Sequence, residues 1–117
     1  MLGTEFEINK RKAQDLFREC SPVFIALGDS VRQKLILEIA DSDNDGVNVK
    51  YLAEKTSLSR TAILYHLKFL IKSGLVRTEK KNSQVYYYLG IEEKINMVSS
   101  LIVLLKSIIG ENEAKRR

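Results

Sequence analysis

The chain has 117 residues, 44% hydrophobic and 29% charged, with a net charge of +4. That supplies enough apolar material for a core and too much for a disordered chain, so a single domain over residues 1–117 is expected. One cysteine, Cys20, excludes an internal disulfide; with one histidine, His66, four ligands for a structural zinc are hard to find and a hydrolase triad or a His-rich metal centre is out of reach. Carboxylate or lysine chemistry is not formally excluded, but the chain reads as a non-enzyme with no cofactor.

The charged N-terminus, MLGTEFEINKRK, has no signal-peptide character, and a cytoplasmic protein is expected. Thr4 is placed to cap a first helix over 5–20, apolar at Phe6, Ala13, Leu16, Phe17 and Cys20. Ser21-Pro22 is expected to break or restart it, leaving Val23, Phe24, Ile25 and Leu27 as a short apolar segment. Gly28-Asp29-Ser30 reads as a stop followed by a cap. The second helix covers Val31 to Ala40, with Val31, Leu35, Ile36 and Ile39 on one face. Asp41 to Gly46 is a loop by its turn chemistry. It opens like a calcium loop, but Leu52 stands where the bidentate glutamate belongs, so a plain solvated loop is the reading.

Val47 to Val49 is too short to assign, with pairing as a single β-strand left open. Lys50 to Lys55 reads as a short helix and Thr56-Ser57-Leu58 as a turn. Ser59 caps a helix that runs to Ser73, with Ile63, Leu67, Leu70 and Ile71 as its apolar stripe and Gly74 as its stop. Leu75 to Glu79 and Val85 to Leu89 alternate and are β-prone, with polar Lys80-Lys81-Asn82-Ser83-Gln84 between them. The last helix is expected over Ile91 to Ile109, stopped by Gly110, with a frayed tail. No unbroken apolar run exceeds Leu101 to Leu105, far short of the roughly 20 residues of a membrane span.

The order gives a mainly α (α+β) chain: a helix-turn-helix over 50–74 and a β-hairpin wing over 75–90, between terminal helices at 5–20 and 91–109. Between Lys50 and Lys81 stand eight basic residues against only Glu54 and Glu79. A block so segregated suits a polyanion, and double-stranded DNA leads. With Ile63, Leu67 and Leu70 inside, Arg60, Thr61, Leu64, Tyr65 and Lys68 point outward. Leu64 suits a thymine methyl and Arg60 a guanine edge, while Ser59 and Thr61 with the helix N-terminus suit a phosphate. The plainer reading is an amphipathic helix with a solvated basic face; the hairpin and the local charge favour DNA. The alternative is a winged-helix protein-interaction module without specific DNA binding.

Ile91, Ile95, Val98, Ile102, Leu105 and Ile109 form one stripe of the last helix; Met97, Leu101, Leu104 and Ile108 form a second. One stripe covers the chain's own core, and a face this wide needs a further partner. A twofold homodimer is expected through this helix and the first one, with Leu16, Phe17, Met97, Leu101, Leu104, Leu105 and Ile108 at the interface. It would set two reading helices about 34–36 Å apart. His66 is expected to be structural and Cys20 a small apolar packer.

The phrase Ala26-Leu-Gly-Asp-Ser-Val-Arg-Gln-Lys-Leu-Ile-Leu37, the run from Leu52 to Val76 with its His-Leu and Ser-Gly-Leu-Val, and Val85-Tyr-Tyr-Tyr-Leu89 together resemble the ArsR-like winged helix-turn-helix regulators. The resemblance covers about 24–89 and implies a homodimeric DNA-binding transcriptional regulator, usually a repressor. Promoter occlusion is the expected mechanism, and whether an effector releases it is left open, since no residue here identifies a signal. It implies that the reading helix begins at Ser59 and that the wing tip, Lys80, Lys81, Asn82, Ser83 and Gln84, reaches the DNA backbone or the adjacent minor groove. Relatives often carry a glycine and an arginine at that tip; Asn82 and Ser83 stand here, leaving Lys80 and Lys81 for phosphate attraction. Familiar metal sites of the family use a Cys-x-Cys pair before the reading helix or histidines on the last helix. Lys50 to Ser57 holds no cysteine and Ile91 to Ile109 no histidine, so no metal sensing by those routes is expected.

Overall fold

A computed structural model describes residues 4–42, 45–90 and 92–115. The elements in chain order are α1 (Glu5–Leu27), α2 (Ser30–Ala40), α3 (Val49–Thr56), α4 (Arg60–Lys72), β1 (Val76–Lys81), β2 (Gln84–Leu89) and α5 (Glu92–Lys115). The segment 47–49, too short to assign from the sequence, pairs only at a single bridge, in which Val47 exchanges two backbone bonds with Tyr87 at 3.1 and 2.7 Å. Val49 instead opens α3. The chain divides into two compact units, one of residues 1–21 and 92–117, the other of residues 22–91.

In the first unit, α5 packs on the N-terminal part of α1. Ala13, Cys20 and Leu101 form the buried centre, with Leu16, Met97, Val98, Leu104, Leu105 and Ile108 packed against it. Leu101, expected to face a second copy, is thus already buried inside the chain, because Ala13 and Cys20 are small enough for it to seat against α1. By length and composition alone Glu92–Ala114 would suffice to cross a membrane. Run length missed this because Asn96, Ser99, Ser100 and Lys106 interrupt the apolar pattern; pairing with α1 buries only part of the apolar surface of α5.

Two expected stops fail. α1 continues through Pro22, although an interior proline forfeits the bond from its own nitrogen to the Arg18 carbonyl. Cys20, Val23 and Ala26, all fully or nearly fully buried, hold the backbone helical on both sides of it. α5 continues through Gly110 to Lys115. A glycine inside a helix costs only about 1 kcal/mol, and Glu111, Glu113, Ala114 and Lys115 are good helix formers.

The second unit is built on α2, α3 and α4. Its core holds Leu35, Ile39, Val49, Leu52, Ile63, Leu67, Leu70, Leu75 and Val76. The Asp29-x-x-Arg32 phrase organises its entrance. Asp29, rather than Ser30, caps α2 by accepting the Arg32 backbone N–H. The Arg32 side chain then turns back to donate from Nη2 to the Ile25 carbonyl at 2.9 Å and from Nε to that of Ala26 at 3.0 Å. Gln33 Nε2 donates to the Leu27 carbonyl at 2.7 Å, and the Gly28 N–H to that of Phe24 at 2.9 Å. The last four carbonyls of α1, which a helix end leaves without intrahelical donors, are therefore all satisfied, three of them by the side chains of α2.

Helix ends set the turns. Asn48 caps α3 by accepting from the Tyr51 N–H at 2.9 Å, and Ser57 closes it in the left-handed region at φ 60°. Ser59 Oγ accepts from the Ala62 N–H at 3.1 Å to start α4. At its end the buried Ser73 hydroxyl donates to the Leu70 carbonyl and accepts from the Leu75 N–H, and Gly74 at φ 81° turns the chain into β1. That φ favours glycine, which explains the Ser-Gly-Leu-Val phrase.

β1 and β2 pair antiparallel, from Val76 opposite Leu89 to Lys81 opposite Gln84. The strands are longer than expected and leave only Asn82-Ser83 as the turn, both at positive φ, 51° and 70°. This is the geometry of a two-residue hairpin whose twist matches the strands.

Candidate nucleic-acid interface

The outer face of α4 follows from its 3.6-residue period. Ile63, Leu67 and Leu70 lie inside and are essentially inaccessible, while Arg60, Thr61, Leu64, Tyr65 and Lys68 are all exposed. Leu64 keeps 41% and Tyr65 55% of its surface accessible. Tyr65 is not free to swing, since its ring meets His66 and Phe69 edge-on, each with centroids 5.2 Å apart. Ser59 is exposed at the helix start, with its hydroxyl engaged as the cap.

Behind this face, α4 is bolted to α2. Arg32 Nη1 lies 3.3 Å from His66 Nδ1, and its guanidinium sits 4.6 Å above the Phe69 ring. His66 Nδ1 is also 3.7 Å from the Asp29 carboxylate. His66 is thus a half-buried structural residue. The backbone N–H of Arg32 foremost, helped by the charge of Arg32, holds the Asp29 carboxyl below its ordinary range.

The wing carries its own charges. Lys80, Lys81, Asn82, Ser83 and Gln84 are exposed at the tip. Arg77 is committed within the hairpin: its guanidinium bonds Glu79 at 2.8 Å and stacks 4.5 Å over Tyr88. The Arg77 bond holds Glu79 below the usual carboxylate range. Lys81 lies 5.3 Å over Tyr88 and 3.9 Å from Glu79. Chiefly the Tyr88 hydroxyl, then Glu79, raises the Lys81 ammonium above its ordinary value, so it stays charged.

Arg60 and Leu64 of α4 meet Ser83 and Gln84 of the wing across one cleft of about 460 Å³, which Asn48, Val49, Lys50, Val85 and Tyr87 complete. Of the residues expected to touch DNA, these four share a surface. Lys68 lies toward the other end of α4, and Lys80 and Lys81 stand on the outgoing strand. Sequence reasoning missed Lys50 and Val85 as lining residues, and it missed Asn48. Its one local signal was an Asn immediately before a helix-forming stretch, a good N-cap. Tyr87 is nearly buried in the cleft wall, where burial raises its hydroxyl above the ordinary value.

Of the residues expected at a dimer interface, Phe17 is 47% exposed, Leu16, Met97, Leu104, Leu105 and Ile108 are half-buried, and Leu101 is buried. The exposed large apolar residues of α5, among the described residues, are Ile95, Ile102, Val103 and Ile109. Among the described residues no group of three or more His, Cys, Asp or Glu side chains is arranged to hold a metal ion. Asp43 and Asn44 of the acidic loop and Ile91 of the expected last helix lie outside the described residues.

Comparison with known proteins agrees with this arrangement. A family model described as winged helix-turn-helix DNA-binding matches residues 29–77. The chain is 27% identical over 99 residues to the arsenical resistance operon repressor of Bacillus subtilis (strain 168), covering 85% of this chain and 92% of that one. It is similar to the transcriptional regulator HlyU from Vibrio vulnificus CMCP6, at 30% identity and a TM-score of 0.58, covering 82% of this chain and 97% of the other. The fold is shared with an ArsR-like transcriptional regulator from Rhodococcus sp. RHA1, at a TM-score of 0.73 and 24% identity, over 85% of this chain and 87% of that one.

Proposed function

Because the chain belongs to the ArsR-like winged helix-turn-helix regulators, a DNA-binding and non-enzymatic family, we propose that it is a cytoplasmic homodimer that represses transcription by occluding a promoter. α4 enters the major groove. Arg60 reads a guanine edge, Leu64 and Tyr65 meet the bases beside it, and Ser59, Thr61 and Lys68 hold phosphates. Lys80, Lys81, Asn82 and Ser83 carry the wing onto the adjoining backbone. The observation that supports this reading best is the cleft in which Arg60 and Leu64 face Ser83 and Gln84. It places the exposed side of α4 beside a cationic hairpin, which a solvated amphipathic helix does not require.

The second copy docks on the terminal helices. Ile95, Ile102 and Ile109 make an exposed apolar line at steps of seven on α5, and Phe17 is exposed on α1. A single small chain leaves such a line without a covering element. The dimer repeats the reading face about 34–36 Å away, one turn of the double helix, and so favours a near-palindromic site.

Substitutions test the division of labour. Arg60→Ala should cost about 1–3 kcal/mol on the preferred site and relax sequence preference. Lys80→Ala should weaken all DNA alike and lower the salt slope by about one. Unchanged binding in both would overturn the assignment. Sedimentation equilibrium at micromolar concentration should give twice the chain mass, and Ile102→Glu should give a monomer. A monomeric native protein would refute the dimer.

A further inference from the structure

The sequence places Gln84 among residues that touch DNA, yet its side chain has an internal partner. Its Oε1 accepts from Asn48 Nδ2 at 3.2 Å and from the Tyr86 hydroxyl at 3.4 Å. Asn48 is itself fixed, because its Oδ1 accepts the Tyr51 N–H to cap α3. One residue away, Val47 and Tyr87 exchange their two backbone bonds. The chain before α3 and the returning wing strand are therefore tied twice, by a backbone bridge and by an amide pair beside it. Gln84 also stands opposite Lys81 in the hairpin, next to the two-residue turn.

A two-stranded hairpin is marginally ordered alone, and its tip gains a fixed direction only from what it is pinned to. The bridge pins the middle of β2. The Asn48–Gln84 pair pins the end nearest the tip.

We infer that Gln84 is a positioning residue for DNA binding: it sets the angle of the wing tip through Asn48 rather than by its own contact with nucleic acid. This inference rests on the proposed reading of DNA by α4 and the wing, which it deepens. The partners are neutral, so losing the strut removes no phosphate charge. It widens the range of tip positions in the free protein, so the tip must be ordered on binding before the same lysines meet the same phosphates. A side chain that contacted DNA itself would act whether or not Asn48 were present.

A double-mutant cycle separates the two. Gln84→Met keeps the length and loses the acceptor; Asn48→Ser keeps a capping oxygen for α3 and loses the reach. Each should weaken binding about 3- to 10-fold on preferred and random duplexes alike, the net worth of one such hydrogen bond. The dependence on salt should be unchanged. The double variant should lose no more than either single one. Losses that multiply, or a loss confined to Gln84→Met, would overturn the inference and make Gln84 a direct contact.

Hydrogen exchange without DNA gives a separate readout. Gln84→Met should speed exchange at the Val47 and Tyr87 amides several-fold, and Gln84→Glu, which keeps the acceptor, should restore protection. Exchange unchanged by Gln84→Met would overturn the strut even if affinity fell. Failure of the native protein to bind any duplex would instead remove the DNA reading, while the exchange experiment still decides whether Gln84 holds the wing.

Discussion

Arg32 offers the most demanding test of how the second unit holds α4. Its guanidinium makes two bonds to the carbonyls of Ile25 and Ala26, approaches His66, and covers Phe69. Arg32→Ala removes all four at once and leaves two helix-end carbonyls without their donors. Charge-assisted bonds at a half-exposed site contribute about 1 kcal/mol each, and stacking over an aromatic ring adds about 0.5–1. The expected loss is therefore about 2–3 kcal/mol, or roughly 10 °C in Tm for a domain of this size. Arg32→Lys supplies one donor group without the planar fork and should recover less than half of it. Urea denaturation at fixed protein concentration measures both, with the slope unchanged. A loss below about 0.5 kcal/mol for Arg32→Ala, or full recovery by Arg32→Lys, would refute the reasoning.

Two glycines should respond in opposite directions. Gly110 has open space around a built Cβ, so Gly110→Ala should stabilise α5 by about 0.5–1 kcal/mol. Gly46 lies at φ +77° with a built Cβ only 2.6 Å from Tyr88 Cζ, so Gly46→Ala should destabilise by about 1–3 kcal/mol, both read from thermal melts. Cys20 is fully buried and burial raises its thiol above the ordinary value, so alkylation of the native protein should run about a hundredfold or more slower than in urea. Rapid native labelling would contradict that packing. Asp29 has a lowered folded value, so the stability it contributes is present above its ordinary value and lost as pH falls through the depressed one. Asp29→Asn keeps a capping oxygen, and its urea midpoint should fall less steeply than the native one below about pH 4; parallel curves would contradict the assignment.

The parts legible in the sequence are those set by local pattern. The period of Ile63, Leu67 and Leu70 fixed which face of α4 is outside, and Gly74 and Ser59 marked its ends as they do in the structure. The hairpin was legible from its β-prone runs, though the tight Asn82-Ser83 turn was not, because the strands extend through polar Lys80, Lys81 and Gln84. What stayed hidden depends on distant partners. Nothing near Arg32 shows that it closes the end of the preceding helix, nor does anything near Asn48 show that it meets Gln84, 36 residues on. Pro22 and Gly110 carry local signals for stopping a helix, and in both cases the helix continues. Leu101 was expected at a dimer interface because periodicity gives faces and not their occupants; the small side chains of Ala13 and Cys20 take it into the chain's own core.

The most direct test of DNA reading by α4 and the wing is selection of bound fragments from the source genome by the purified protein at several salt concentrations. The account predicts enrichment of a near-palindrome with half-sites about one helical turn apart, and affinity that falls steeply as salt rises. No enriched sequence together with little salt dependence would contradict it.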